Sequence, residues 1–485
     1  MARHPHEAAE RTGPPEVHLS DREVMQDLAE KYDAACPKFW LAVAVAGGLF
    51  ALGVLAFVIR ALDVGLSDSS RNEYGYYAAA FAFLIVTATT APLAAIAFRW
   101  TKNHWRRPFS RAAELFSLVG ILAVLAFIPM LIVLPGIDLN GDGVLELGKD
   151  RRTIWFSAPI GAPIWWDMAG LIGVVVCGLA LLWVSARPDM AQIAQVSNGL
   201  RARVMGRLAC GWQGTVRDWN VQKGQMAILG AFYFMLLVWV HTLISLDFAL
   251  SLIPGWRDSI FAAHHVLTGI QASAGLLIVV LFLMKKVGGY DRYIGVDPFW
   301  SFAKVLLGVT LLWGYFWFSE FMTFWYGRDE TEQTVIKLLM VESYRTAFLL
   351  NLFFSFFIPF VLLLWNGVRK SVLGPTVAGA SVIIGAFFMM VRLYVPAFNI
   401  KDVGAESIAE FEAAHGGTAA QLLPVLPGPL DVLMVVGMMA GAAFIFLLGT
   451  RLIPIMSAWE MKEGLMYVLY RPFMKGKYLV LGKPE

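Results

Sequence analysis

Residues 259–284 read SIFAAHHVLTGIQASAGLLIVVLFLM, and this stretch decides the fold. It carries no Asp, Glu, Lys or Arg, and its apolar residues run on without alternation. About 20 such residues cross the roughly 30 Å of hydrocarbon in a bilayer, whereas a barrel strand would alternate. In lipid the backbone must satisfy its own hydrogen bonds, so the stretch is predicted to be a membrane-spanning helix. Near its start, however, it holds an adjacent pair of histidines, His264 and His265.

Nine further runs of the same kind flank it, near Phe39–Ile59, Tyr74–Phe98, Ala112–Pro135, Ala162–Ser185, Gln225–Leu250, Phe299–Tyr326, Tyr344–Trp365, Pro375–Pro396 and Val432–Ile455. The composition agrees: of 485 residues 58% are hydrophobic and only 15% charged, against about 45–50% and about 25% in soluble domains. That excludes a soluble enzyme and a disordered chain. Thirty-nine basic against 36 acidic residues leave a net charge of +3, which gives no reason to expect nucleic acid as a partner. The three cysteines, Cys36, Cys177 and Cys210, form no CxxC pair, so no zinc or iron–sulfur motif is borne by the chain. The expectation is an all-α polytopic bundle over 39–456. A polar tail over 1–38 and a second tail over 457–485 flank it, and the first lacks the apolar core of a signal peptide. Lys and Arg are denser in the segments 99–111, 186–224, 285–298 and 367–373 than in the loops of the opposite side, which places both termini in the cytoplasm.

Ionisable residues inside spans are costly and so are candidates for function. Asp167, Asp247, His264, His265, Glu320 and Arg392, with Arg345 and Asn351, all fall toward the outer ends of their spans. His241 lies somewhat deeper, and only Lys304, with Arg111 and Glu114 at the margin, falls toward the inner side. Each carboxylate taken singly also reads as an interfacial anchor or an arginine partner. Successive helical residues point about 100° apart, so only one of His264 and His265 can face a given cavity squarely. Haem ligation would need facing axial ligands, and His241 with one of that pair is the only set in view. The stretch Trp313–Gly327, WGYFWFSEFMTFWYG, reads either as an interfacial aromatic belt or as an apolar slot for a lipid-soluble ring. The loop from Asp138 through Asn140, Asp142 and Glu146 follows the first part of a calcium loop, but Lys149 stands where the final Glu is expected. An ordinary Asn/Asp/Gly turn is the alternative.

Four stretches carry a resemblance. Trp105 to Glu114 (WRRPFSRAAE) leads into the third span; Trp166-Asp167 is followed by Arg187 to Ala191 (RPDMA); Leu246 to Trp256 (LDFALSLIPGW) is followed by Ser259 to Phe261; and Lys304 to Gly327 is followed by Glu330 to Glu332. In these, over roughly residues 99–335, the chain resembles the NrfD-like (polysulfide reductase C-like) membrane subunits, especially the large ones of alternative complex III. The resemblance implies two four-helix bundles with peripheral helices in a bacterial cytoplasmic membrane, and a quinone or menaquinone bound non-covalently beneath the periplasmic face. It implies partners too: an iron–sulfur subunit docked on that face, multihaem cytochrome c subunits, and a second NrfD-like membrane subunit, the haem and clusters residing on those partners. Quinol oxidation releases protons with its electrons, so Asp167, Asp247, His264 and His265 are the expected acid–base residues. Trp166, Trp256 and Arg392 are expected at the quinone, and His241, Lys304 and Glu320 on a proton path.

The chain also departs from that pattern. Members that use quinol carry a His in the second helix, where this chain reads Thr87-Ala88-Thr89-Thr90-Ala91-Pro92-Leu93. Phe127-Ile128-Pro129-Met130 replaces a His-Leu-Gly-Arg-Pro-like end of the third, and Glu320 stands where a Gln is usual. A quinone-free, proton-conducting or scaffolding subunit therefore stays open. So does a secondary transporter or proton channel, although no inverted halves and no pair of Gly/Pro-broken helices at midplane depth are evident.

Overall fold

A computed structural model describes residues 36–133, 162–196, 199–253, 255–400, 424–466, 468–473 and 476–481, together with 23, 27, 28 and 30–32. Ten helices in it are long and apolar enough to cross a membrane, so the chain is a multi-pass membrane protein. Spans one to ten are Pro37–Val64, Ser69–Trp100, Ser110–Ile132, Trp165–Gln195, Val216–Leu252, Phe261–Lys286, Asp297–Gly327, Arg345–Leu364, Leu373–Asn399 and Pro429–Leu452. Every predicted apolar run is one of them. Most extend beyond the predicted limits, because a helix continues past its apolar core into capped polar turns. Span five, for instance, begins at a capping box of Thr215 and Asp218.

Spans two to five pack as one four-helix group and spans six to nine as another; span two joins them by lying against spans six and nine. Spans one and ten pair with each other and cover spans two and three. Of span two's most apolar stretch 83% is buried, against 22% for spans one and eight, so span two is the axis of the molecule and spans one and eight face lipid. With no hydrophobic force between helices in a bilayer, close backbone approach must hold them. Glycines supply it. A Cβ on Gly53 would lie 2.5 Å from Gly437 Cα, where spans one and ten cross, and one on Gly275 would lie 2.6 Å from the Gly379 carbonyl, where spans six and nine cross.

The helices are not regular throughout. Ile85–Thr89 and Phe353–Phe357 are π-helical turns inside spans two and eight, followed by Pro92 and Pro359. A proline lacks the N–H that its i−4 carbonyl needs, and in lipid the freed oxygen must find another donor. The Ile358 N–H goes to Phe353 O, so the Phe354 carbonyl accepts instead from Ser381 Oγ (2.7 Å) and the Ser355 carbonyl from Gln271 Nε2 (2.8 Å). In span two the Leu93 N–H goes to Thr90 O, and the Tyr233 hydroxyl donates to the Thr89 carbonyl.

Tyr32, Arg451 and the ends of spans two and four share one end of the bundle, here called the termini side. A buried ion network ties it. Glu114 meets Arg99 (2.8 Å) and Arg111 (3.3 Å), Arg111 meets Asp189 (3.0 Å), and Glu460 receives both Arg106 (2.7 Å) and Arg99 (2.9 Å). Asp189 also accepts from Ser457 Oγ and from the Ala458 and Trp459 N–H groups at the start of the helix Ala458–Met466. The C-terminal tail is thus anchored rather than loose, and it continues into an antiparallel hairpin of Val468–Phe473 with Gly476–Leu481. At the opposite, far side Arg60 pairs with Glu73 and with Asp431 (3.2 Å).

Two outcomes are expected of this packing. Gly53→Leu should cost about 1–3 kcal/mol by overpacking and lower the thermal midpoint in detergent, whereas Gly48→Leu, with no atom within 4 Å of its Cβ site, should leave it in place. Burial would raise the Glu460 carboxyl, but Arg106 and Arg99 outweigh it and hold that carboxyl at about 2. Its contribution is therefore full above the ordinary carboxylate range and lost as pH falls toward about 2. Glu460→Gln should free the C-terminal helix to protease at pH 7, about 3–5 kcal/mol being lost when a buried pair is broken, and the difference from the parent should shrink toward pH 2.

Candidate functional site

Span six carries its two histidines one turn inside the far end, and they diverge as the helical angle requires. His264 turns toward span seven, where its Nδ1 lies 3.1 Å from Glu320 Oε2. His265 turns toward spans five and nine, where its Nδ1 lies 3.0 Å from His241 Nδ1 and its Nε2 lies 3.2 Å from the Tyr394 hydroxyl. All five side chains are buried.

The second contact set has one consistent proton arrangement. The Thr90 hydroxyl has a single proton, and it goes to the Ile85 carbonyl (3.0 Å), inside the π-turn. His241 Nε2, 2.9 Å from Thr90 Oγ1, must then donate to it. His241 Nδ1 accepts from His265 Nδ1–H, and His265 Nε2 accepts from Tyr394. Every donor points the same way, from Tyr394 near the far side to Ile85 in span two. The imidazoles touch directly, too close to admit an iron between those nitrogens, and their outer nitrogens are taken, so this pair is not a haem ligand set. Gly269 makes the arrangement possible, since a Cβ there would lie 2.7 Å from His241 Cε1.

Around Glu320 the contacts are less complete. Arg392 is buried, lies 5.4 Å from the centre of the Phe348 ring, and acts electrostatically on both Glu320 and Asp258. Asp258 sits in the loop before span six, where one carboxylate oxygen accepts from the Ile260 and Phe261 N–H groups (2.8 and 3.0 Å). Its carboxyl also hydrogen-bonds the Glu320 side chain, whereas His264 Nε2 and Arg392 Nε and Nη1 are buried with no hydrogen-bond partner among the described residues. Three such nitrogens near one carboxylate form a buried polar cluster with unspent hydrogen-bonding capacity, in a setting where each unmet group costs several kcal/mol. Trp313 packs against it; its ring centre is 5.0 Å from that of His264, and its Nε1–H donates to Thr268 Oγ1 (2.9 Å). Below it Gln271 donates to Thr310 (3.0 Å) and to the freed Ser355 carbonyl, while Ser355 donates to Asn351 (3.1 Å).

The other expected residues take the following places. Asp167 and Asp247 are buried on spans four and five, and neither enters the contacts around Glu320 or His265 described above. Trp256 is buried with its ring 4.5 Å from that of Phe261, at the mouth of span six. Trp166 is half exposed beside Trp239. Lys304 is exposed, its ammonium 4.1 Å from the centre of the Trp300 ring, and it joins no buried network. In the aromatic stretch Tyr315, Phe318, Trp325 and Tyr326 are exposed, as an interfacial belt requires, while Trp313 packs on His264 and Trp317 on Phe348, the ring beneath Arg392. The calcium-loop residues Asp138, Asn140, Asp142 and Glu146 lie outside the described residues, and no cluster of three or more metal-ligating side chains occurs among those described. Sequence reading missed Thr90, Asp258 and Tyr394. A hydroxyl run ahead of Pro92 was the available signal for the first, and an Asp three residues before the start of a helix for the second.

Comparison with family models and with curated proteins finds no match to this chain.

Burial, and next to it the Glu320 charge, push the Asp258 carboxyl up to about 7. A carboxyl raised in this way keeps its proton through the range where an ordinary one has lost it, so its burial penalty is absent at low pH and complete above about 7. Infrared difference spectra should show a protonated-carboxyl band fading as pH rises through about 7, and Asp258→Asn should abolish that band.

Proposed function

We propose that the chain is the membrane subunit of a respiratory electron-transfer complex of the NrfD-like, alternative complex III-like kind, with the far side periplasmic and both termini in the cytoplasm. The carrying observation is the buried polar cluster around Glu320, where His264 Nε2 and Arg392 offer an acceptor and donors that the described residues leave unused. A quinol hydroxyl there donates to His264 Nε2. His264 then becomes an imidazolium beside the Glu320 carboxylate, which stabilises it as a neighbouring charge does. Asp258, titrating near 7 at the mouth, takes the proton onward to the far side. Two protons leave with two electrons, and the electrons pass to an iron–sulfur partner docked on that face. Multihaem cytochrome c subunits and a second NrfD-like subunit complete the assembly.

One observation favours a second reading, a proton-conducting unit without quinone: the aligned chain Tyr394–His265–His241–Thr90 reaches the π-turn of span two, deep in the bundle. The two readings separate on purification from native membranes. Under the first, haem- and iron–sulfur-containing partners co-purify, and Glu320→Gln lowers quinol turnover by about 10²-fold, in keeping with loss of an acid–base group, while partner spectra stay unchanged. Unaltered turnover and unaltered quinone-analogue binding in Glu320→Gln would overturn it, and a clean homo-oligomer without redox centres would favour the second.

A further inference from the structure

Lys304 stands seven residues into span seven, about 10 Å along the helix from its start at Asp297, yet its side chain is exposed on the lipid-facing side. A lysine so placed bends its ammonium back toward the nearer interface, and the ring it meets, that of Trp300, is one turn closer to the termini side. A second ammonium comes to the same ring. Lys370, exposed in the turn between spans eight and nine, lies 5.0 Å from its centre, as Lys304 lies 4.1 Å from it. Two cations sharing one indole repel each other, and neither has a carboxylate partner among the described residues. Asp297, exposed at the start of span seven, pairs with neither.

A second observation lies on the same flank. An apolar hollow is lined by Phe353, Phe357, Ile358, Val361 and Leu362 of span eight. Span eight packs on span seven, and the stripe Phe357, Val361, Trp365 leads from that hollow to the turn that holds Lys370. On the facing side of span seven Gly308, one turn from Lys304, leaves open space, and Leu311 and Leu312 continue an exposed apolar surface.

We propose that this flank binds one anionic glycerophospholipid of the termini-side leaflet, its phosphate bridging Lys304 and Lys370 over Trp300 and an acyl chain lying in the hollow of span eight. A phosphate supplies the counter-charge that the two ammoniums lack, and the depth of Lys304 matches a headgroup just above the hydrocarbon. The site is separate from the polar cluster around Glu320 and stands whatever that cluster binds.

The test uses the purified full chain in detergent with phosphatidylglycerol, phosphatidylcholine or inorganic phosphate added. Phosphatidylglycerol should raise the thermal midpoint in a concentration-dependent way, beyond any rise with phosphatidylcholine, and inorganic phosphate should not. Lys304→Gln with Lys370→Gln should lose that excess, and one retained lipid should disappear from the native mass spectrum. Lys304→Arg should keep both. An excess that survives in the double variant, an equal rise with phosphatidylcholine, or a rise reproduced by inorganic phosphate alone would each overturn the proposal.

Discussion

Inside a bilayer a carbonyl oxygen without an N–H partner has no water to turn to, and the interior of this protein is organised around meeting that need. Pro92 and Pro359 each remove a donor from a membrane-spanning helix, and both helices answer with a π-helical turn. The oxygens released are met by side chains from other spans: Tyr233 from span five, Gln271 from span six and Ser381 from span nine. Each of these draws a neighbouring helix to a fixed height against its partner. The hydroxyl of Thr90, just past that turn, donates to the Ile85 carbonyl and so fixes the tautomer of His241 and, through it, of His265.

The buried charges divide into two groups with different character. On the termini side arginines and carboxylates interlock, with Glu460, Glu114 and Asp189 each receiving at least one guanidinium. That network closes the bundle over the C-terminal helix and behaves as structure. On the far side Glu320 is held by His264 and Asp258 and feels the Arg392 charge, and nitrogens of His264 and Arg392 remain unmet by the described residues. The two groups differ in what they join, guanidinium with carboxylate on the termini side and imidazole with carboxylate on the far side.

Packing geometry decides which of these groups can meet at all. Glycine at 269 lets His241 reach between helices, and Gly275 against Gly379 brings spans six and nine close enough for Tyr394 to touch His265. Where the surface instead faces lipid, the same polar residue types behave differently. Lys304 does not enter the bundle but bends along the outside toward Trp300.

From the amino-acid order alone came the ten spans, the topology with both ends of the chain on one side, and the divergence of His264 from His265. All three follow from local quantities: the transfer free energy of about 20 consecutive residues, the distribution of basic residues between loops, and the 100° step of a helix. Tertiary structure alone decided that His264 would find Glu320 and His265 would find His241, that Glu460 would close the termini side, and that Lys304 would stay outside. Those pairings depend on which helical faces meet and at what height. Glycine contacts and proline-freed carbonyls between spans far apart in the chain set both, and hydropathy sums along one segment carry no record of them.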